Sequence, residues 1–227
     1  MIEVTLTAHR AAFAAGKFLR VVNWHNTPPG GRAQLRAELA SYAERYVPVL
    51  PGDLDRLMET GRWSATKPGL IPAFYDGYAN QASVAAPVCD ELGLPAWFFP
   101  LTGFLSTPPE HQRAYANGHD IDLVDGERDQ PALAMTWDEL EVVSRRHVVC
   151  AHTASHAQAQ HVVTPADVER EVLEPVRTIT ALTGTRPPAF AWLFGAAFDP
   201  SSVAGAALLS AGIRYAVSNT AYERIGD

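Results

Sequence analysis

Short apolar runs and amphipathic stretches follow one another along this chain, and their periods differ. Residues 18–25 (FLRVVNWH) read as a strand, residues 26–31 (NTPPGG) as a loop, and residues 32–46 as a helix in which Leu35, Leu39 and Tyr42 share one face. Residues 52–61 form a short helix closed by Gly61. A buried strand follows over residues 69–78 (GLIPAFYDGY) and breaks at Asp76 and Gly77. Residues 83–93 are a helix stopped by Gly93, and residues 94–104 (LPAWFFPLTGF) the next strand.

The polar stretch 106–130 carries Pro108, Pro109, Gly118 and Gly126 and reads as a functional loop or mobile excursion. Thr136 then N-caps a helix over 136–146, with Glu139 completing a capping box. A strand at 147–156 (HVVCAHTASH) runs into a histidine pair, a helix spans 166–184 despite Pro175, and residues 188–195 (PAFAWLFG) return to strand. A helix over 201–212 and a strand over 213–220 close the pattern. Strand and helix in alternation, joined by short turns, predict an α/β layout with a largely parallel sheet or barrel, whose ligand sites gather at the carboxyl ends of strands. Asp76, His152 and His156 all fall just past such ends.

At 227 residues and 47% hydrophobic content, the chain can bury one sizeable core and is read as a single domain over 1–227. Eighteen Lys and Arg against 25 Asp and Glu give a net charge of −7, with no basic cluster to neutralise phosphates, so nucleic acid is not the expected partner. Cys89 and Cys150 are too few for a disulfide framework and read as free buried thiols. No basic segment followed by an apolar one opens the chain, and no run of about 18 apolar residues occurs, so the expectation is no membrane span and a cytoplasmic location.

His152 and His156 are four residues apart, close enough for both imidazoles to reach one ion if the segment turns helically. A carboxylate as third ligand, with Asp76 the leading candidate, would leave open positions on Zn²⁺, Fe²⁺ or Co²⁺ for water and substrate. Three stretches in order, FYDGY (74–78), HTASH (152–156) and AFAWLFG (189–195), resemble the successive motifs of the polysaccharide deacetylase family, the NodB-homology domain. WHNTPP, DELGLPAWFFP and MTWDEL support the likeness, which spans roughly residues 21 to 220.

The resemblance implies a distorted (β/α) barrel of about seven strands and a divalent metal, zinc by default with cobalt, iron or nickel as alternatives. Asp76, His152 and His156 would be its ligands. In the family the metal polarises an acetamide carbonyl and activates a water, releasing acetate from an N-acetylated sugar or glycan. The third motif implies a backbone N–H for the oxyanion. Of two registers, RPPA at 186–189 and AWLFG at 191–195, the second is preferred, because a strand leads there into a glycine turn; Phe194 N–H is then the donor. His25 matches a histidine common near the start of related sequences and is placed over the barrel mouth on the substrate side.

This chain departs from the family at one catalytic position. The family's first aspartate, its general base, is replaced by Tyr75, a phenol whose ordinary pKa near 10 is a poor match to a carboxylate at neutral pH. The chain also ends at Gly226 and Asp227 without the later histidine that serves many members as general acid, so the domain is read as shortened there. Tyr75 is read either as a reactive group or as a space-filling aromatic, and Trp192, with Phe194 and Trp97, either as an aromatic wall for a sugar ring or as core. Cys150 reads as a small core residue, and His111, His119, His147 and His161 as surface or loop histidines. Three functions follow: a metal-dependent amide hydrolase (deacetylase), a metal- or ligand-binding protein that has lost hydrolysis, or an Fe²⁺ and dioxygen reaction at the same centre.

Overall fold

The computed structural model describes residues 19–124, 127 and 130–226. Phe18, the preceding N-terminal stretch and Gly126 lie outside them. The fold is α/β, built on two largely parallel sheets. The first has the order β1 (Leu19–Trp24), β3 (Gly69–Asp76), β4 (Trp97–Pro100), β5 (Val148–Val149), with the short β2 (Val47–Pro48) also on β3. The second runs β6 (Ala151–His152), β7 (Ala189–Ala191), β8 (Tyr215–Ser218), β9 (Ala221–Arg224), and only its last pair is antiparallel.

One segment joins the two sheets. Val148 and Val149 pair with β4, the N–H of Cys150 donates to Phe98 O at 2.7 Å, and Ala151 and His152 have moved across to β7. Alternate residues of both sheets therefore face one shared interior: Ile71, Ala73 and Tyr75 from β3, Trp97 and Phe99 from β4, then Cys150, Ala191 and Val217. The opposite face of the first sheet, Leu70, Phe74 and Phe98, packs on Leu35 and Leu39 of α1 (Arg32–Ala43) and on Val84 and Val88 near α3 (Ala86–Glu91). This is the curled, helix-clad arrangement expected from the sequence. Among the described residues no strand pair closes the ring between β1 and β9.

The helices follow their sequence signals. α2 (Pro51–Thr60) ends at Gly61 with φ 64°. In α6 (Trp137–Ser144) Thr136 and Glu139 form the reciprocal capping box. Pro87 and Pro175 are accommodated alike: each sits at the start of a regular helix, α3 and α8 (Glu174–Thr183), directly after a wide π turn, Gln81–Ala85 or Glu169–Leu173. There its missing N–H breaks no regular α ladder. The second π turn is itself preceded by α7 (Pro165–Val168).

Four expectations change. The strand predicted over 94–104 stops at Pro100, because its neighbour β3 ends opposite at Asp76; Thr102–Ser106 is helix α4. The stretch 106–130 contains helix α5 (Pro109–Gly118), entered through Pro109 at its first turn, and only Gln112 and Ala116 of it are buried, so its polarity marks an exposed helix. The last helix is α9 (Val203–Ser210), and the strand after it doubles back as β9 through a turn at Asn219 with φ 52°. His147 is buried and accepts the Ala96 N–H through Nδ1 at 3.2 Å, so it is a core histidine.

Cys89 and Cys150 are free and buried. Among the described residues no helix is long and apolar enough to cross a membrane. Trp97 is fully buried in the interior, with its indole N–H on Val49 O at 2.9 Å, which makes it core and not a substrate wall. Trp97→Ala should therefore cost about 3–5 kcal/mol of unfolding free energy in urea titration; a cost under about 1 kcal/mol would contradict the shared interior.

Candidate metal centre

Asp76 closes β3 with φ 76°, and Gly77 follows at 80°. A Cβ on Gly77 would lie 2.7 Å from Leu105 Cδ1 and 3.1 Å from Pro100 Cβ, so only glycine lets the chain turn here and aim the carboxylate inward. Asp76 is 1% exposed and its Oδ1 has no hydrogen-bond partner among the described residues. Buried carboxylate oxygens are rarely left so, since an unpaired one costs about 1–3 kcal/mol or more.

His152 ends β6, and His156 follows on a turn, not on the helix that the spacing suggested. That turn is held by polar side chains. Thr153 Oγ1 accepts the Ala157 N–H at 2.8 Å, and the carboxylate of buried Glu171 accepts Ser155 N–H at 2.9 Å and Ser155 O–H at 2.8 Å. Glu171 lies on the second π turn. On the first, the Gln81 amide donates to His25 O at 2.6 Å and to Tyr75 O. Each π turn thus delivers one buried polar side chain to the loops of the site.

The three groups come together: ligand atoms of Asp76, His152 and His156 lie within 4.8 Å of one another, and all three residues are buried. His156 Nδ1 donates to His119 O at 2.6 Å, which places its lone pair on Nε2, 3.5 Å from Asp76 Oδ1. His152 Nδ1 lies against Thr153, 2.9 Å from the N–H and 3.1 Å from the hydroxyl. Burial pushes the Asp76 carboxyl up to about 7, partly opposed by the Tyr78 phenol beside it. Burial also holds His152 well below, and His156 below, the ordinary histidine range. Two imidazoles that burial keeps neutral and a carboxylate with one oxygen unpartnered among the described residues are the donor set of a divalent transition-metal ion.

The triad opens onto a cavity of about 260 Å³. His25, Tyr75, Trp192 and Phe194 line it, so the residues read from the sequence as metal-binding, catalytic or substrate-side reach one place, and Trp97 does not. Tyr75 stacks on Phe99 at 4.7 Å and on His25 at 5.5 Å, and its hydroxyl donates to Asn219 O at 2.8 Å. Burial raises its pKa beyond the ordinary phenol value, so the hydroxyl stays protonated. Phe194 sits at the rim with φ 60° and a 68% exposed side chain, and among the described residues its N–H has no backbone acceptor. Burial lowers the His25 pKa, against the charge of Asp122.

Some of the site was invisible in the sequence. Asp120, Asp122 and Asn219 also line the cavity, and His119 supplies the carbonyl that orients His156. The five described non-glycine residues with positive φ, namely Asp76, Asp120, His156, Phe194 and Asn219, all lie on its wall. Left-handed backbone at such residues costs about 1–3 kcal/mol each and concentrates at functional sites. No repeat or spacing marks it in the sequence.

Solved structures share this fold. IcaB from Ammonifex degensii superposes with a TM-score of 0.64 at 16% identity, over 88% of this chain and 82% of its own. A de-N-acetylase from Aggregatibacter actinomycetemcomitans gives 0.64 at 17%, over 92% and 91%. The Streptococcus pyogenes deacetylase PplD, in complex with acetate, gives 0.60 at 14%, over 86% and 79%. The chain has the polysaccharide deacetylase fold. No protein-family model and no curated protein matches its sequence.

The raised Asp76 pKa fixes a sign. Between the ordinary carboxyl pKa and about 7 the metal-free fold holds a proton that the unfolded chain has released, so this group lowers stability as pH rises through that window. A bound cation needs the carboxylate and reverses the dependence. Zn²⁺ affinity should fall about tenfold per pH unit below about 7 and level off above it, and the slope should vanish in Asp76→Asn. Competition titration against a chromogenic chelator measures this; a flat profile from pH 5 to 8 would contradict the assignment.

Proposed function

We propose that this protein is a metal-dependent amide hydrolase that removes an acetyl group from an N-acetylated sugar or glycan. The observation that carries the reading is the buried, unpartnered Oδ1 of Asp76 facing the lone pair of His156 Nε2 in a cavity walled by left-handed backbone. Asp76, His152 and His156 would hold the ion, with zinc the default for this donor set. When bound there, a divalent ion polarises the acyl carbonyl and acidifies water.

The chain's own groups take the remaining roles. The N–H of Phe194, which has no backbone acceptor among the described residues, would serve the developing oxyanion, a task that depends on the backbone and not on the phenyl ring. Trp192 offers an apolar flank for the sugar, and His25, neutral through burial, is the imidazole on the substrate side. Tyr75 packs and shields the centre, its hydroxyl engaged with Asn219. Two structural neighbours, a de-N-acetylase and a deacetylase in complex with acetate, support the reaction class.

A second reading draws on the same Tyr75: with a phenol where a carboxylate would serve as base, the centre would bind metal and an acetylated ligand without hydrolysis. Acetate release separates the two. Protein stripped and reloaded with Zn²⁺ or Co²⁺ should release acetate from N-acetylglucosamine oligomers, and Asp76→Ala should lose at least about 10³-fold in kcat/KM. Tight binding of the oligomer with no acetate under any metal loading would establish the second reading. Oxygen consumption with Fe²⁺ bound would point to oxidation at the same centre.

A further inference from the structure

Amide hydrolysis needs a group that takes a proton from the attacking water and returns one to the departing nitrogen. Besides the triad, the titratable residues lining the cavity are His25, Tyr75, Tyr78, Asp120 and Asp122. Both phenols are already donors, Tyr75 to Asn219 O and Tyr78 to Asp122 O, each at 2.8 Å. One imidazole and two carboxylates remain.

The two carboxylates belong to a segment fastened to the metal centre at both ends. His119 O accepts the His156 Nδ1–H at 2.6 Å, and the His119 ring stacks on Tyr115 at 4.0 Å. At the other end Asp122 O accepts the hydroxyl of Tyr78, two residues beyond Asp76. Between them Asp120 takes φ 53°. Among the described residues neither carboxylate makes a hydrogen bond or an ion pair of its own. They are anchored differently: Asp122 O accepts the Tyr78 hydroxyl at 2.8 Å and the side-chain amide of Asn26, the residue after His25, at 3.5 Å, which ties Asp122 to the segments that carry Asp76 and His25, whereas among the described residues Asp120 is bonded to neither.

We propose that Asp122, which lines the cavity and is held between the segments of Asp76 and His25 by the Tyr78 and Asn26 bonds, is the catalytic carboxylate of the hydrolysis proposed above, standing in where Tyr75 cannot act as base. The assignment rests on that hydrolase reading. As the water oxygen bonds to the acyl carbon, one water proton passes to Asp122. As the C–N bond breaks, that proton passes to the nitrogen, and the carboxylic acid product ionises to leave acetate and an amine.

The test compares Asp122→Asn, Asp120→Asn and Asp122→Ala in zinc-loaded protein hydrolysing an N-acetylglucosamine tetramer. Asp122→Asn should lower kcat by about 10²–10⁴-fold, with KM and Zn²⁺ affinity unchanged, and formate should restore part of the rate to Asp122→Ala but none to Asp76→Ala. A readout without turnover accompanies it: the His25 imidazole, followed by NMR, should titrate lower in Asp122→Asn and unchanged in Asp120→Asn. Full kcat in Asp122→Asn, while Asp76→Ala is dead, would overturn the assignment and leave the hydrolase reading intact. The same follows if the loss and formate rescue belong to Asp120. Absence of acetate release from the unmodified protein with either Zn²⁺ or Co²⁺ would remove both.

Discussion

A carboxylate oxygen buried at the end of β3 with no partner among the described residues is the constraint around which this molecule is arranged. Asp76 sits where the strand stops, in a left-handed conformation, and the close approach of Leu105 and Pro100 makes glycine compulsory at the next position. Leaving such an atom unsatisfied costs stability, and the surrounding backbone adds strain at Asp120, His156, Phe194 and Asn219. A packed interior with Trp97 and Phe99 at its centre can hold that strain in place. A bound cation would satisfy the oxygen and relieve its raised pKa in one step.

The supports of the candidate centre are as specific as its three side chains. His156 is fixed by a carbonyl from the end of α5, its loop by Glu171, and the peptide groups of Tyr75 and His25 by Gln81. Glu171 and Gln81 both lie on π turns that precede a proline. One irregularity in the helix thereby accommodates the proline's missing N–H and lets a long polar side chain reach inward. Such polar supports keep metal ligands in the orientation their lone pairs require.

Sequence pattern made much of this legible, and where it failed the cause is physical. The uninterrupted apolar run of β3, the capping box at Thr136 and the left-handed glycines at 61 and 184 are local signals, and the elements they predict are present. Asp76, His152 and His156 were legible because a strand end, a histidine spacing and an ordered set of motifs coincide. The α5 helix was hidden because its exposed polar face imitates a loop, and the end of β4 depends on where β3 ends. His119, Asp120, Asp122 and Asn219 reach the site through backbone conformation and carbonyl bonds, which leave no periodicity to read. Tyr75 was legible as a departure from its motif; that its hydroxyl is engaged by Asn219, 144 residues away, was not.

The central claim is that Asp76, His152 and His156 form one metal centre, and anomalous X-ray scattering from crystals grown with Zn²⁺ tests it most directly. The account predicts one strong peak bound by Asp76 Oδ1, His152 and His156 Nε2, with His156 Nδ1 still donating to His119 O. A peak elsewhere, or none at saturating zinc with the three side chains in place, would contradict it.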